Sequence, residues 1–279
     1  MAARLLYRSL SPQLQLGIRR ALGRTKPWDP GEPGTPPQCG PGMHAAPPDF
    51  VGVGVQKAGT SRWYSLLARH PDIHNAPAHK ERHFFKDFWR EPFTDASVRD
   101  YASWFPRPEG RLCGEWTPVY IIQPWAPPLL KRAAPDTRIL VLLRDPVERL
   151  RSGLAHLAAR SWIVDHRRAM EQFSIGLYAP QLERLFESFP REQVLVQTME
   201  RCNVDAPGEL RRTHLFLGLE PHPPPTEPLE RRFHGSRQPK IELPPAMLDA
   251  ITDAYRQDAR HLDSLGLDLD FDLWPTVRP

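Results

Sequence analysis

The sequence predicts an α/β fold: a central parallel sheet flanked by helices. Two observations carry this reading. Apolar runs of strand length, "DFVGVGV" at 49–55, "RILVLLR" at 138–144 and "QVLVQTM" at 193–199, are separated by segments whose apolar residues recur at helical spacing. Strands separated by helices pair in parallel, and a parallel sheet is covered on both faces. Ligands are then expected at the carboxyl ends of the strands.

Taken in order, the first 24 residues, "MAARLLYRSLSPQLQLGIRRALGR", are Arg-rich, acid-free and weakly amphipathic. They suit a peripheral helix, an organellar transit segment or a membrane-surface helix. Residues 26–48 are dominated by Pro and Gly and read as an extended linker, which divides the chain into 1–48 and one domain at 49–279. The strand at 49–55 leads into a helix over 60–70. Val98, Tyr101, Ala102 and Phe105 stripe a second helix. "RLCGEWTP" is a strand ending at Pro118, and 138–144 is the most continuous buried strand. After it, Asp145 is placed as an N-cap, Pro146 at the first helical position and Glu148 three residues past the cap. Leu182, Leu185, Phe186 and Phe189 stripe another helix before the strand at 193–199, and a helix over 208–217 follows it. A last helix, 244–265, turns Leu248, Ile251, Tyr255 and Leu262 inward.

Composition excludes several classes. Of 279 residues, 40% are hydrophobic and 25% charged, as in ordinary globular domains. No apolar run approaches the roughly 18 residues that span a bilayer. Three cysteines at 39, 113 and 202, odd in number and far apart, match neither a disulfide framework nor a zinc site, and indicate a reducing compartment. The pI is near 9.1. Residues 1–48 nevertheless hold the entire net charge of +4, so 49–279 is neutral. A neutral domain is no partner for nucleic acid, and any positive groove in it is local, matched to a small anion.

Three stretches carry chemistry. In "VGVGVQKAGTSRWYSLLARHP" (51–71) a strand turns directly into a helix, aiming backbone N–H groups and the positive end of the helix dipole at one point. Gly59 admits an anion closely, and Thr60 and Ser61 add hydroxyl donors. Lys57 stands out in a chain with 6 lysines and 31 arginines, as a compact, mobile point charge. A Walker loop places its lysine after the glycine, whereas Lys57 precedes Gly59. The stretch is therefore either an anion site or a capped helix with an incidental surface lysine. In "LLRDPVERLRSG", Arg144 ends a buried strand and Ser152 lies eight residues on. They either grip a second phosphate beside the first loop, or Arg144 pairs with Asp145 or Glu148. In "HKERHFF" (79–85), Glu81 lies between Lys80 and His83 ahead of two phenylalanines. A carboxylate against that apolar wall is expected to have a raised pKa and to act as a general base near neutrality; the alternative is a solvated charged surface.

The ordered set "VQKAGTS", "KERHFF", "GEWTPVY", "LLRDPVERLRSG", "GLYAPQLERLFESFPREQVLV", "FLGL", "SRQPKI", "LDAITDAYRQDARHL" and "DFDLW" resembles the sulfotransferase superfamily. Within it, the set is most similar to the branch typified by heparan sulfate N- and 3-O-sulfotransferases, as a soluble bacterial-type member. The resemblance covers 50–274 and is specific as a set, though no single motif is. It implies a P-loop NTPase-like three-layer fold and the donor 3′-phosphoadenylyl sulfate (PAPS), which explains the lysine-first loop. By the same resemblance Lys57, Ala58, Gly59, Thr60, Ser61 and Arg62 surround the 5′-phosphosulfate. Arg144 and Ser152 bind the 3′-phosphate, Gly235, Ser236 and Arg237 close over the nucleotide, and Tyr178 lines its site. Glu81 takes a proton from an acceptor hydroxyl or amine while Lys57 stabilises the departing phosphate, with no metal required. His83 either touches substrate or serves a structural hydrogen bond.

Departures from the branch set further expectations. Its usual lysine is replaced by Trp116 in "GEWTP", which would offer an aromatic surface to a less charged acceptor. The cysteine pair of the heparan enzymes has no counterpart, and Trp63 is a buried helix residue rather than an adenine platform. Trp89 and Trp162 either pack on a ring-bearing acceptor or are structural. The acceptor is expected to be of small or medium size, a glycan or a natural product with a hydroxyl or amine, and the location cytoplasmic. The alternatives are a non-catalytic nucleotide-binding module, or a P-loop kinase, which would need a GK[ST] loop and an Asp for Mg²⁺.

Overall fold

A computed structural model describes residues 35–74, 80–159, 164–224 and 242–278, with Leu14, Gly17, Ile18 and Ala21, which are helical. The described residues from Pro36 onward belong to one compact unit. The chain runs through β1 (Met43–Ala45), β2 (Phe50–Gly54), α1 (Thr60–Leu67), α2 (Asp95–Ser103), β3 (Pro106–Pro108), β4 (Gly114–Trp116) and α3 (Ala126–Ala133). It continues through β5 (Arg138–Leu143), α4 (Pro146–Ala159), α5 (His166–Ser174), α6 (Ala179–Ser188), β6 (Val194–Thr198), α7 (Met199–Val204), α8 (Ala206–Phe216) and α9 (Pro245–Ser264).

The central sheet has four parallel strands in the order β4-β2-β5-β6. The chain leaves β2 toward one side, to β4, and leaves β5 toward the other, to β6. The crevice at the carboxyl ends of β2 and β5 is therefore a topological switch point, where open α/β sheets bind ligands. Helices flank the sheet: α8 packs against α1, and α9 against α4 and α6.

The alternation "FVGVG" in β2 has a physical cause. Its residues are all buried, yet the glycines face bulk that leaves no room for a side chain. A Cβ on Gly52 would lie 2.0 Å from the Trp116 ring, and one on Gly54 2.8 Å from Ile121. The Trp116 indole is thereby laid against the strand and donates to the Gly54 carbonyl at 3.1 Å. The six-residue run of β5 sits between β2 and β6, buried from Ile139 onward.

The N-cap after β5 is as the sequence predicts. Asp145 Oδ1 accepts from the backbone N–H groups of Val147 (3.0 Å) and Glu148 (3.1 Å). Other boundaries differ, and β4 closes at Trp116 rather than at Pro118. α1 closes at Leu67 rather than His70, because His70 accepts from the Asp72 N–H with Nδ1 and meets the Glu220 carbonyl with Nε2. Within the stretch read as a linker, β1 pairs antiparallel with β3. Arg107 locks that entry by donating to the carbonyls of Ala46 and Pro47 and pairing with Asp49 at 3.0 Å. Helices α3, α5 and α7 escape the periodicity reading; α3 opens on prolines at its first turn, where they are tolerated.

Candidate active site

The loop between β2 and α1 is shaped by two left-handed residues. Lys57 has φ 70° and Gly59 φ 82°. A left-handed lysine costs roughly 1–2 kcal/mol, so the surrounding bonds must hold it. One of them is long-range: the Arg144 guanidinium donates to the Lys57 carbonyl at 3.1 Å and lies 3.8 Å from Glu148 Oε2. The loop and the end of β5 are thus joined at the switch point. Gly59 is required by its φ alone, since a Cβ there would meet only ordinary contact with the Met199 sulfur at 3.4 Å.

Lys80 closes this cluster from the other side. Its Nζ donates to Thr60 Oγ1 (3.2 Å), Ser61 Oγ (3.2 Å) and Glu81 Oε1 (3.1 Å). Glu81 Oε2 lies 3.3 Å from His83 Nε2. Thr60, Ser61, Lys80, Glu81 and His83 are therefore one contiguous constellation, and Lys57 is tied to Arg144 beside it. Lys80 was visible in "HKERHFF", but nothing in its spacing says that it crosses to the loop.

The expectation of a raised Glu81 pKa is corrected. Burial does push the carboxyl up, but the His83 hydrogen bond and the Lys80 charge outweigh it and hold it at about 2. The apolar wall is real: Phe85 is buried and Phe84 partly so. It stands beside Lys80 and His83, whose contacts with the carboxylate run against the effect of that wall. Burial lowers the Lys80 ammonium, with Glu81 opposing that shift.

A buried carboxylate fixes the segment that carries Glu81. Glu115 in β4 accepts from the hydroxyls of Tyr101 (2.8 Å), Tyr120 (3.2 Å) and Thr117 (2.5 Å) and from the Arg82 N–H (3.1 Å). Thr117 Oγ1 also accepts from the N–H groups of Arg82 and His83, and Tyr120 Oη from that of Phe84. Three successive backbone donors are satisfied around His83, whose φ of 52° is left-handed. Burial raises the Glu115 pKa, opposed by these bonds.

The remaining predicted residues fall at varied distances from this cluster. Ala58 is buried in the loop. Arg62 points away, donating to Asn203 Oδ1 at 2.7 Å. Ser152 lies in α4, beyond Arg144. Tyr178 is buried, and its hydroxyl donates to the Arg144 carbonyl at 2.7 Å, so it supports that strand end from beneath. Trp116 is 1% exposed and offers no aromatic surface, which removes that ground for a less charged acceptor. Trp63 is buried as expected, and Trp89 is exposed. Gly235, Ser236, Arg237 and Trp162 lie outside the described residues. Among the described residues no group of His, Cys, Asp and Glu is arranged to hold a metal ion, and no helix is long and apolar enough to cross a membrane.

A lysine-first loop joining strand to helix at the switch point of a parallel sheet belongs to an α/β architecture of P-loop type. The model of the sulfotransferase domain family matches residues 47–240, and the chain belongs to that family. It is 33% identical over 205 residues to human heparan sulfate glucosamine 3-O-sulfotransferase 6, covering 68% of this chain and 58% of that one. Mouse heparan sulfate glucosamine 3-O-sulfotransferase 3A1 is 33% identical over 192 residues, 62% of this chain and 46% of the relative. The chain spans about half the length of the curated relatives it matches. A sulfotransferase from Alicyclobacillus acidocaldarius superposes with TM-score 0.66 at 28% identity, over 82% of this chain and 99% of that one.

Proposed function

We propose that the chain is a sulfotransferase that moves a sulfuryl group from PAPS to a hydroxyl or amine. The observation that carries this is the junction of Lys57, Thr60, Ser61, Lys80 and Glu81 at the end of β2, tied to Arg144 at the end of β5. The donor set fits the group: two hydroxyls, a helix N-terminus and the cations Lys57 and Arg144 suit phosphate and sulfate oxygens. Lys57 and the loop N–H groups surround the 5′-phosphosulfate. Arg144, with Ser152, takes the 3′-phosphate, and Tyr178 braces Arg144.

In the transfer, an acceptor O–H or N–H gives its proton to Glu81. The acceptor atom bonds to sulfur as the bond from sulfur to the 5′-phosphate oxygen breaks, and that oxygen keeps the electron pair. Lys57 and the loop amides meet the charge that builds there; one such donor is commonly worth about 3 kcal/mol. His83 holds the second Glu81 oxygen. Among acceptors, a glycan is favoured by the identity to enzymes named for heparan sulfate glucosamine. The domain at 49–279 is proposed as the catalytic unit, in the cytoplasm.

Calorimetric titration with adenosine 3′,5′-bisphosphate, 5′-AMP and ATP tests the reading. Micromolar binding of the bisphosphate with no binding of ATP supports it, as does loss of transfer by roughly 10²–10⁴ in Glu81→Gln. No preference for the 3′-phosphate sinks the donor assignment. Nucleotide binding with no turnover, in the wild type as in Glu81→Gln, would point instead to the non-catalytic module.

A further inference from the structure

Lys80 uses all three of its N–H donors, and it uses them on two different functional groups. Two go to the Thr60 and Ser61 hydroxyls at 3.2 Å, and one goes to Glu81 Oε1 at 3.1 Å. Its side chain is only 16% exposed, so water is a poor substitute for any of the three. The hydroxyls are neutral and belong to the loop where the phosphosulfate would lie. A donor there brings several negative charges to the position that now offers Lys80 two neutral oxygens. The ammonium is a mobile point charge on a four-carbon stem and can follow the stronger field.

We propose that Lys80 is a further catalytic residue, which exchanges Glu81 for the sulfuryl oxygens of the donor and so releases the base only when the donor is in place. This rests on the sulfuryl-transfer reading above. Without donor, Glu81 is held between Lys80 and His83, the charged groups that act on it, while Glu115 in β4 acts on Lys80. In that state the carboxylate is a weak base. With donor bound, Lys80 stabilises charge on the sulfuryl group, and Glu81 keeps only His83. The acceptor proton then moves to Glu81 as the new bond to sulfur forms and the bond to phosphate oxygen breaks. The exchange explains how a carboxylate so acidic in the free protein can serve as the base.

The test is a carbon-13 NMR titration of the Glu81 carboxyl in the full chain, assigned with Glu81→Gln, with and without saturating PAPS and no acceptor. In the wild type, donor should raise the proton affinity of Glu81 at least tenfold. In Lys80→Met the free protein should already show that rise, and donor should add less than half as much. Lys80→Gln serves as a second variant should Lys80→Met fail to melt cooperatively. An unmoved Glu81 in donor-saturated wild type overturns the proposal, as does an equal donor response in both Lys80 variants. Calorimetry on the same sample separates the two readings. If PAPS does not bind, sulfuryl transfer falls and the Lys80 exchange with it; if PAPS binds and Glu81 stays put, the Lys80 exchange falls alone.

Discussion

Arg144 and Lys57 are 87 residues apart in sequence, and the guanidinium of one donates to the carbonyl of the other at 3.1 Å. The cation proposed for the 3′-phosphate thus also fixes the backbone of the loop proposed for the 5′-phosphosulfate. Two phosphates of one nucleotide would be gripped by a single braced unit.

Arg144→Ala should therefore weaken more than one contact. Affinity for adenosine 3′,5′-bisphosphate is expected to fall by roughly tenfold to a hundredfold, a loss of about 1.4–2.7 kcal/mol. Affinity for 5′-AMP should fall too, by a smaller factor, because the loop loses its brace. Calorimetry that finds 5′-AMP binding unchanged would separate the two roles and refute the coupling.

Glu115 should matter to turnover without touching substrate. Glu115→Gln puts an NH₂ among hydroxyl and N–H donors, which should destabilise the fold by about 2 kcal/mol and loosen Arg82–Phe84. The expected signature is a lower kcat with bisphosphate affinity kept within about threefold, since Arg144 still braces the Lys57 loop. Its raised pKa sets a sign as well. Stability contributed by protonated Glu115 is complete below the ordinary carboxylate range and is lost as pH rises through the raised value. The stability gap between wild type and Glu115→Gln should accordingly narrow as pH rises, in denaturant titrations.

A histidine cluster outside the site governs stability in acid. Burial, together with the charges of His70 and His222, lowers His214 to about 4. Its Nδ1 accepts from the His222 N–H at 3.3 Å, and its ring meets that of His70 at 4.6 Å. A depressed histidine leaves stability intact above its ordinary value near 6.5 and loses it as pH falls toward 4. Wild type should lose on the order of 2 kcal/mol more than His214→Gln between those limits. Parallel urea curves for the two proteins across that range would contradict this.

Gly52→Ala should be among the most damaging single methyl additions. The new Cβ would meet the Trp116 ring at 2.0 Å, deep in the sheet, where overpacking costs about 3 kcal/mol. Thermal melting reads the loss. Trp116→Ala in the same background should recover part of it, because the two residues share one space.

Much of this was legible in the sequence, and the limits of legibility are physical. Continuous apolar runs gave β5 and β6 within a residue or two, because strands buried on both faces have no polar residues to blur them. The Asp145 cap was readable from local chemistry alone. Strand β1 was not, since its three residues form only by pairing with β3 far along the chain. The composition of "KERHFF" located the candidate base but misjudged its acidity. A pKa depends on which charges arrive across space, and the crossing of Lys80 to Thr60 and Ser61 leaves no mark on spacing. Trp116 misled for a related reason: a substitution shows what changed, whereas its direction was set by the empty side of Gly52.

The Asp145 carboxylate that caps α4 also accepts from the Thr276 hydroxyl at 2.5 Å, across 131 residues of chain. Nearby, Trp274 donates to Glu200, which in turn accepts from the Asp145 N–H. During synthesis at about 5–20 residues per second, the wall behind Arg144 would wait roughly ten seconds for this buttress to leave the ribosome. The nascent sheet can form its strands in that interval, but the pocket floor remains unfinished. An early stop between residues 241 and 270 would then release a protein with every loop motif intact and nothing behind them.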